Sequence, residues 1–502
     1  MSNLFEVCLG DKAGSGRRAL ETPRGARLTY AALAQETGRM ANALAALGVR
    51  PGERVAVQVD KSVANLVLYL ACLRAGAVYL PLNTAYTLAE LDYFIGDAEP
   101  ALVVCDPAAR AGVEALAAKV GARTASLNAA GEGDLSDLAG AQGGAFQTIE
   151  RADDDLAAIV YTSGTTGRSK GAMLTHGNLA SNARTLVETW RFTAEDVLIH
   201  ALPIYHVHGL FVATNVLLMA GGTMLFLPGF DAGAILGLMP RATALMGVPT
   251  FYTRLLKQPG LTRAACANMR LFVSGSAPLL AETHREWEDR TGHAILERYG
   301  MTETGMNVSN PYDGERRAGT VGFPLPGVEL RIVDEQTGAP LPAGQIGMIE
   351  VRGPNVFSGY WRMPEKTAQE FRPDGFFITG DLGVIDADGY VSIVGRGKDL
   401  VITGGLNVYP IEVEALIDAL PGVVESAVVG LPHADFGEAV TAVIATGGKP
   451  APSEAEVLAA LLDQLAAFKR PKRVLFVDEL PRNTMGKVQK AALRSQFAGL
   501  YA

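Results

Sequence analysis

Along the first part of the chain, segments whose apolar residues recur with the period of a helix alternate with short apolar runs typical of strands. Residues 30–47 form an Ala- and Leu-rich amphipathic segment that stops at Gly48, and residues 62–74 form a second helical segment that stops at Gly76. Short apolar runs at 54–59, 77–82 and 101–105 have the length of buried strands. This alternation predicts an α/β fold with largely parallel, buried sheets.

The pattern changes further along the chain. Residues 128–147 are rich in Gly and Ala and predict a loop or linker. From about Gly319, short extended runs between turn signals predict an antiparallel β region, with strands at 329–334, 347–352, 375–379, 382–386 and 390–394. The last part predicts a compact α/β segment, with helices at 410–419 and 453–465 and strands at 423–431, 439–446 and 473–477. We therefore expect a large N-terminal domain, residues 1–395, and a small C-terminal domain, residues 396–502.

One stretch, residues 209–230, contains no Asp, Glu, Lys or Arg and is about as long as a membrane span. Gly221-Gly222 and Pro228 interrupt it, which predicts a short buried helix followed by a strand. We therefore expect no membrane insertion.

Composition and charge narrow the class of protein. Hydrophobic residues make up 48% of the 502 residues and charged residues 19%, which excludes a largely disordered chain. The formal net charge of −9 argues against a protein that binds nucleic acid. The chain start lacks a basic segment followed by an apolar one, so we expect no signal peptide. Scattered cysteines exclude a disulfide scaffold and a zinc ribbon and favour a cytoplasmic location: Cys8, Cys72, Cys105 and Cys266.

A loop rich in glycine and hydroxyl groups follows the apolar run 157–161. Glycines let backbone N–H groups converge and hydroxyls add donors, so this loop and the lysine after it predict a polyphosphate site. It is not a Walker A loop, because two residues separate Gly164 from Gly167. The run 167–171 matches a hydrolase nucleophile elbow, but the strand ends eight residues before Ser169, which disfavours a nucleophilic serine. The predicted phosphate-binding residues are Thr162, Ser163, Gly164, Thr165, Thr166, Gly167 and Lys170.

Further segments carry candidate nucleotide chemistry. The ring of Tyr299 can lie against a base, Glu303 offers a hard oxygen ligand for Mg²⁺, and the Asp381 carboxylate can accept both hydroxyls of a ribose. In chain order the segments are Ser274-Gly275-Ser276-Ala277-Pro278, Arg298-Tyr299-Gly300-Met301-Thr302-Glu303, Thr379-Gly380-Asp381, Gly395-Arg396-Gly397-Lys398, Thr403-Gly404-Gly405 and the run from Pro481 to Gly486-Lys487. Together with the phosphate loop, and in this order, they resemble the motifs of the acyl-adenylate-forming enzymes: acyl-CoA synthetases, peptide-synthetase adenylation domains and luciferases.

The resemblance implies the fold of those enzymes, with a small mobile C-terminal α/β domain that pivots at Lys398. It implies ATP, Mg²⁺ and coenzyme A as ligands, and Lys487 as the catalytic lysine that bridges the attacking carboxylate and the α-phosphate. The implied metal-binding residues are Thr165 and Glu303, and the implied lining of the CoA tunnel is Gly404 and Gly405. The implied nucleotide-binding residues are the phosphate loop from Thr162 to Gly167, Lys170, Gly275, Ser276, Ala277, Glu297, Arg298, Tyr299, Gly300, Met301, Thr302, Asp381 and Arg396.

In several relatives the lysine that matches Lys487 is acetylated as an off switch. The resemblance therefore also implies a lysine acetyltransferase and a deacetylase as partners that act on Lys487.

The acid substrate is predicted from other residues. The run Tyr205-His206-Val207-His208-Gly209, Arg285 and the segment 297–304 look most like malonyl-CoA synthetases, which also accept methylmalonate. A short dicarboxylate needs a buried cation for its second carboxylate. We expect Arg285 to bind that carboxylate with help from His206, and Arg254 is a second candidate.

Other functions stay open at this point. Relatives that activate acetate, fatty acids or aryl acids share every nucleotide motif, so a CoA ligase for another short-chain, medium-chain or aryl acid is the main alternative. An adenylation domain that loads a carrier protein is disfavoured, because no carrier-like module is appended. A non-catalytic nucleotide-binding scaffold is disfavoured by the presence of Glu303, Asp381, Arg396 and Lys487.

Overall fold

The computed structural model describes residues 3–162, 169–403, 406–433, 436–448, 450–462, 464–465, 467–483 and 486–501. Two compact units divide the chain. The first unit is formed by Met1–Glu329 and Val351–Phe377, and the second by Leu330–Glu350 and Ile378–Ala502.

The first unit is built from strands and helices that alternate along the chain. Its strands are β1 (Arg18–Glu21), β2 (Arg27–Thr29), β3 (Arg54–Gln58), β4 (Val78–Pro81), β5 (Leu102–Cys105), β6 (Arg123–Ser126), β7 (Leu156–Thr162), β8 (Lys170–Thr175), β9 (Val197–His200), β10 (Thr223–Phe226), β11 (Ala244–Gly247), β12 (Leu271–Ser274), β13 (Leu296–Met301), β14 (Gly305–Ser309) and β15 (Phe323–Pro324). Its helices are α1 (Leu4–Leu9), α2 (Tyr30–Ala46), α3 (Val63–Arg74), α4 (Leu88–Ala98), α5 (Arg110–Lys119), α6 (Asp134–Gly140), α7 (His176–Thr189), α8 (Asn215–Ala220), α9 (Ala232–Leu238), α10 (Pro249–Leu256), α11 (Ala281–Thr291) and α12 (Pro364–Gln369).

The strands of the first unit form two parallel-rich sheets, which confirms the predicted α/β class. One has the strand order β15-β14-β13-β12-β11-β9-β10-β1-β2 and the other β6-β5-β3-β4-β7-β8. Antiparallel pairing occurs toward the edges, at β1–β2, β13–β14, β14–β15 and β7–β8. Because β12 and β13 pair in parallel, their carboxyl ends bring the 274–278 turn and the 302–304 segment to the same edge, where α/β sheets place ligand sites.

Local signals in the sequence explain where several helices begin. Thr87 caps α4 and Thr175 caps α7, and each forms a reciprocal capping box with the third residue of its helix. Helix α3 is apolar on nearly every side and is buried, as expected for a helix packed on more than one side.

The uncharged stretch folds as predicted, into a buried helical segment and a strand. A π-helical segment, His208–Thr214, leads into α8, and Gly221 ends α8 in a left-handed conformation with φ 80° before β10 begins. Within the part of the chain that the structure describes, no helix combines the length and the apolar character that crossing a membrane requires.

The second unit holds the strands β16 to β19 and the C-terminal α/β segment. Its elements are β16 (Glu329–Val333), β17 (Gly347–Arg352), β18 (Phe377–Ile385), β19 (Val391–Arg396), β20 (Val401–Thr403), β21 (Leu406–Val408), α13 (Pro410–Asp418), β22 (Glu425–His433), β23 (Gly437–Ala445), α14 (Glu454–Ala460), β24 (Arg473–Val477) and α15 (Lys490–Gln496). One sheet has the order β16-β17-β18-β19 and the other β21-β20-β23-β22, with β24 parallel to β23.

Side chains alternate across β22, so the sheet of β20 to β24 has a core on each face. Val428 belongs to the cluster that includes Val413 of α13 and Val457 of α14. Its neighbour Val429 belongs to the opposite cluster, which contains Leu480 and Leu493 from the C-terminal segment. The C-terminal residues after β24 therefore pack on one face of this sheet.

The structure differs from the predicted elements in two places. The predicted strands 375–379 and 382–386 are one strand, β18, because Gly380 accepts φ 73° and a bulge follows it. The predicted loop 128–147 contains α6, whose first residue Asp134 accepts the amide of Ser126 at 2.5 Å. The predicted domain boundary, 395/396, stays a prediction; Leu400 and Ile411, which follow it in the chain, pack against the core between β16 and β19.

Candidate active site

The predicted phosphate loop connects two neighbouring antiparallel strands. Strand β7 ends at Thr162 and β8 begins at Lys170, whose carbonyl lies 3.5 Å from Thr162 Oγ1. The element after the loop is therefore a strand, which agrees with neither a Walker A loop nor a nucleophile elbow, since both lead into a helix. Ser163, Gly164, Thr165, Thr166 and Gly167 lie outside the described residues.

Lys170 lies in a network of polar side chains around Tyr360. Lys170 Nζ donates to Glu370 Oε1 at 2.9 Å and lies 4.0 Å from the centre of the Tyr360 ring. The Tyr360 hydroxyl lies 2.7 Å from Glu370 Oε2 and 3.0 Å from Glu303 Oε1. One phenol thus connects the predicted metal ligand Glu303 with the predicted phosphate-binding lysine.

The charges of this network stabilise one another. Burial opposes ionisation of Glu370, but hydrogen bonds from Lys170, Tyr360 and Lys366 outweigh it, so the pKa of Glu370 lies below its ordinary value. Burial and the two nearby carboxylates raise the pKa of Tyr360 well above its usual range, so the phenol stays protonated. Tyr360 and Glu370 were not predicted from the sequence, because Glu370 lies 200 positions from Lys170 and neither belongs to a glycine-rich motif.

A second group of side chains lies where β12 and β13 end. Ser276 has a left-handed backbone with φ 72°, and its hydroxyl lies 3.3 Å from His208 Nδ1. Gly275 lies against Arg298, since a Cβ at this glycine would be 2.4 Å from the Arg298 Cζ atom. A side chain at position 275 would therefore displace the guanidinium.

Arg298 is a buried cation with incomplete hydrogen bonding. Its side chain is 4% exposed, and its Nε and Nη2 atoms have no hydrogen-bond partner among the residues that the structure describes. Burial lowers its pKa to about 9, so the guanidinium stays charged near neutral pH. Burying a charge without a partner costs free energy. Such a cation is typical of a site that binds an anion.

Two histidines face this cation in their neutral form. Burial, followed by the charge of Arg298, lowers the pKa of His206 to about 4. The same two causes, with His206 and His200, lower the pKa of His208 far below its ordinary value. His206 therefore lies beside Arg298, as a residue of an anion site would.

The structure places the two predicted substrate-binding arginines elsewhere. Arg285 is exposed, because the buried face of α11 is formed by Thr283, His284, Trp287 and Thr291. Arg254 is also exposed, with its guanidinium 5.6 Å from the centre of the Phe230 ring. Neither position supports the predicted role, because neither provides a buried cation. Helical spacing could have placed Arg285 on the exposed face.

The remaining nucleotide residues of the first unit follow one another along β13. Glu297 is buried and lies 3.1 Å from His284 Nδ1, and burial raises its pKa despite that histidine. Tyr299 is buried. Gly300 must be glycine, since a Cβ there would lie 2.0 Å from the carbonyl of Gly305 on the paired strand. Met301 ends the strand, Thr302 is half-buried after it, and Ala277 follows Ser276 in the other turn.

The second unit brings its predicted site residues together. Asp381 and Arg396 are opposite each other on β18 and β19, with Asp381 Oδ1 2.6 Å from Arg396 Nε. Lys398 follows in a short helical turn, and its pKa is lowered by burial. Lys487 is exposed along its length, yet burial of its ammonium group and the charge of Arg396 lower its pKa.

The predicted CoA loop joins two strands of the same unit. Strands β20 and β21 pair antiparallel, with Thr403 opposite Leu406. Gly404 and Gly405, between them, lie outside the described residues.

Comparison with known proteins identifies the class. The model of the AMP-binding enzyme family matches residues 11–361, and that of the AMP-binding enzyme C-terminal domain matches residues 412–487. The chain belongs to the AMP-binding enzyme family, and it is an AMP-forming acid–thiol ligase that uses ATP.

Several relatives within this class are similar over nearly the whole chain. The crystal structure of ATP-bound MatB from Rhodopseudomonas palustris is 65% identical, covers 100% of both chains and superposes with a TM-score of 0.98. A malonate–CoA ligase of Arabidopsis thaliana is 36% identical over 90% of this chain and 79% of its own. A feruloyl-CoA synthase of an Amycolatopsis species is 39% identical over 94% of each chain.

Proposed function

We propose that this enzyme is a malonate–CoA ligase that also accepts methylmalonate. The buried, incompletely hydrogen-bonded guanidinium of Arg298 carries this proposal. A dicarboxylate has one carboxylate to react and a second to bind, and the second would supply the anion that Arg298 lacks. Relatives named as malonate–CoA ligases, from Arabidopsis thaliana and mouse among others, support the same acid.

An aryl or alkyl monocarboxylic acid fits this site less well. Such an acid would fill the space beside Arg298 with apolar atoms and leave the charge buried without a counter-ion, which costs several kcal/mol. The relatives include enzymes named for aryl acids, feruloyl-CoA synthase and anthranilate CoA ligase, so a monocarboxylic acid is the alternative that the experiment must exclude.

The first half of the proposed reaction forms the acyl-adenylate. A carboxylate oxygen of the acid attacks the α-phosphorus of ATP, the bond to the β-phosphate breaks, and pyrophosphate leaves. Lys487 would neutralise charge at the reacting carboxylate and α-phosphate, Lys170 would bind the outer phosphates, and Asp381 would accept the ribose hydroxyls.

Glu303 fits a Mg²⁺ ion that arrives with ATP. Its carboxylate is buried and held by the Tyr360 hydroxyl. Among the described residues, no three His, Cys, Asp or Glu side chains are arranged to hold a metal. Nucleotide-bound Mg²⁺ needs only one or two carboxylates, because phosphate and water oxygens supply the rest. When bound, the ion offsets phosphate charge; Thr165 is the second proposed ligand.

The thiol half completes the reaction. The sulfur of coenzyme A attacks the acyl carbon, the bond to the AMP oxygen breaks, and AMP leaves. We propose that the C-terminal domain re-orients about Lys398 between the two halves, and that Gly404 and Gly405 then line the CoA tunnel.

Two further proposals concern the cell. Acetylation of Lys487 would remove the charge that the first half-reaction uses, so a lysine acetyltransferase and a deacetylase would switch the enzyme. All four cysteines are free and buried, which supports a reducing compartment such as the cytoplasm.

The test is AMP formation by wild-type and Arg298→Gln enzyme with malonate, methylmalonate, acetate and benzoate. We expect malonate to be the best acid for the wild type. Arg298→Gln should lower kcat/KM for malonate by roughly 30-fold or more, since truncating one partner of a buried charge pair costs about 2–5 kcal/mol. Acetate should lose far less.

Arg285→Gln is the matched control, because it removes an exposed arginine from the adjacent helix. It should leave kcat/KM for malonate within about twofold of wild type, as expected for a surface change. Selective loss of malonate activity in Arg285→Gln, with none in Arg298→Gln, would contradict the assignment. Preference for benzoate or acetate would contradict the dicarboxylate proposal itself.

A further inference from the structure

The described residues around Lys487, 481–483 and 486–489, form a hydrogen-bonded turn. The amide of Asn483 donates to the carbonyl of Lys487 at 2.9 Å, and the amide of Lys487 donates to Asn483 Oδ1 at 2.9 Å. Outside these bonds, the amide of Gln489 donates to the carbonyl of Pro481 at 2.8 Å. These bonds fix the backbone of Lys487 relative to Asn483 and Pro481.

Two ion pairs attach this turn to the rest of the second unit. Arg482, before Lys487, pairs with Glu425 on β22, and Arg482 also donates to the carbonyl of Gly486. Lys490, after Lys487, pairs with Glu414 on α13, with 2.6 Å between Lys490 Nζ and Glu414 Oε1. The side chains of these pairs are 31% and 24% exposed in the first, and 18% and 16% in the second. The Lys490–Glu414 pair is thus the less exposed of the two.

The Lys490–Glu414 pair offsets an unfavourable charge at the start of a helix. Lys490 is the first residue of α15, where the partial positive charge of a helix N-terminus disfavours a cation. Glu414 offsets that cost, and its own Oε1 is fixed by the amide of Val428 at 2.7 Å. The carboxylate is thus oriented before Lys490 reaches it.

Apolar packing also attaches the C-terminal segment, but with less directional precision. Leu480, Val488 and Leu493 pack against the sheet in one cluster. Hydrophobic contacts are non-directional, so they hold the segment on the sheet without fixing where Lys487 lies along it. Ion pairs with oriented partners can supply that restraint.

We propose that Glu414 and Glu425 are positioning residues for Lys487, acting through Lys490 and Arg482. Lysine has a long flexible side chain, so its ammonium can meet two reacting groups only if the turn is held in place. The inference rests on the proposed role of Lys487 in the first half-reaction. It assigns to four charged residues a role that acts through Lys487.

The experiment measures pyrophosphate release and thermal stability for Glu414→Gln, Lys490→Gln, Glu425→Gln and Arg482→Gln in the full chain. Each variant should lower kcat roughly 10- to 100-fold, the range expected when a catalytic group is displaced slightly. The KM values for ATP and malonate should change little, because no substrate contact is removed. Arg473→Gln is the matched control: it breaks the 3.1 Å Arg473–Glu454 pair in the same unit and should keep wild-type kcat.

A second measurement separates positioning from general stability. Burial and Arg396 lower the pKa of Lys487 in its present place. Labelling of the Lys487 amine by an acylating reagent, followed over pH by mass spectrometry, should therefore show a higher midpoint in Lys490→Gln than in wild type. A variant that only loosens the fold would not move this midpoint selectively.

The charge-exchanged double variant Glu414→Lys/Lys490→Glu keeps the proposal testable if single variants unfold. Recovery of both melting temperature and kcat supports positioning, and recovery of melting temperature without kcat overturns it. Folded single variants with wild-type kcat and an unchanged labelling midpoint also overturn it. Lys487→Ala is run in parallel: if it keeps full pyrophosphate release, the proposed role of Lys487 fails instead.

Discussion

The hydroxyl of one residue, Tyr360, organises the charged side chains around it. The Tyr360 hydroxyl has one proton and lies near two carboxylates, 2.7 Å from Glu370 and 3.0 Å from Glu303. A phenol can donate to only one of them at a time. Glu370 in turn accepts a hydrogen bond from Lys170 Nζ at 2.9 Å. Tyr360 thus connects Glu303 with the Lys170–Glu370 ion pair.

We predict that Tyr360→Phe raises the KM for ATP roughly 10-fold, because a hydrogen bond to a charged group contributes about 1.5–3 kcal/mol. The KM for malonate should stay close to wild type. Binding of Mg·ATP measured by calorimetry gives a readout independent of turnover. Tyr69→Phe removes a buried hydroxyl that donates to Asn215 at 3.1 Å, away from this network, and should bind ATP normally. Equal ATP affinity in all three proteins would refute the role given to Tyr360.

At the scale of elements, α13 ends beside β22 in an unfavourable electrostatic position. Asp418 is the last residue of α13, where the negative end of the helix dipole disfavours a carboxylate. Burial, with the charges of Glu414 and Glu425, raises its pKa to about 7 even though Ser426 donates to it. Folding therefore shifts this carboxyl toward its protonated form.

The sign of the pH dependence is set by linkage. An unfolded Asp titrates near pH 3.9, so between that pH and about 7 the folded chain binds more protons at Asp418 than the unfolded chain. The contribution of Asp418 to stability therefore falls as pH rises through this window, by at most about 1.4 kcal/mol per pH unit.

We predict that Asp418→Asn stabilises the second unit at pH 8 and much less at pH 5, because the amide carries no charge to bury. Melting temperatures at the two pH values check this, with Asp388→Asn, an exposed change in the same unit, as the control. Equal shifts at both pH values would show that Asp418 does not titrate in this window.

At the scale of the whole molecule, the mechanism proposed above is a sequence of two half-reactions. The nucleotide residues of the first unit lie at the ends of β12 and β13, whereas Asp381, Arg396 and Lys487 belong to the second unit. The two half-reactions need Lys487 and the CoA loop in turn. Lys398 lies directly after β19, where a change of few backbone angles can redirect the C-terminal part of the chain.

We predict that Lys398→Pro slows thioester formation far more than pyrophosphate release, because proline fixes φ near −65°. Rapid-quench measurement of acyl-AMP formation and of its consumption by CoA separates the halves. Lys398→Ala, which leaves the backbone free, should retain most of the second step. Equal loss of both halves in the proline variant would argue against a pivot at this residue.

The nucleotide-site residues stay predictions, and the sequence suggests them because the candidate chemistry is concentrated in short segments. Neighbouring residues of characteristic types indicate a function in each of three segments: the phosphate loop, residues 297–303 and the turn with Lys487. The element types could likewise be predicted from period and turn signals, since these are local properties. Strand β18 shows the limit of such local signals. Gly380 was predicted to separate two strands, but it lies within one strand.

Burial of charges was decided by the tertiary structure alone. Arg285 and Arg298 are equally good cations in sequence, but packing exposes the first and encloses the second. Packing also decides which charges pair. Glu370 contacts Lys170, and Glu414 contacts Lys490, although the partners lie far apart in the chain. The sequence by itself determined the class, the α/β fold and the nucleotide chemistry, because local residue types and periods specify them. The structure decided which charges lie buried together, because desolvation depends on every element packed around a group.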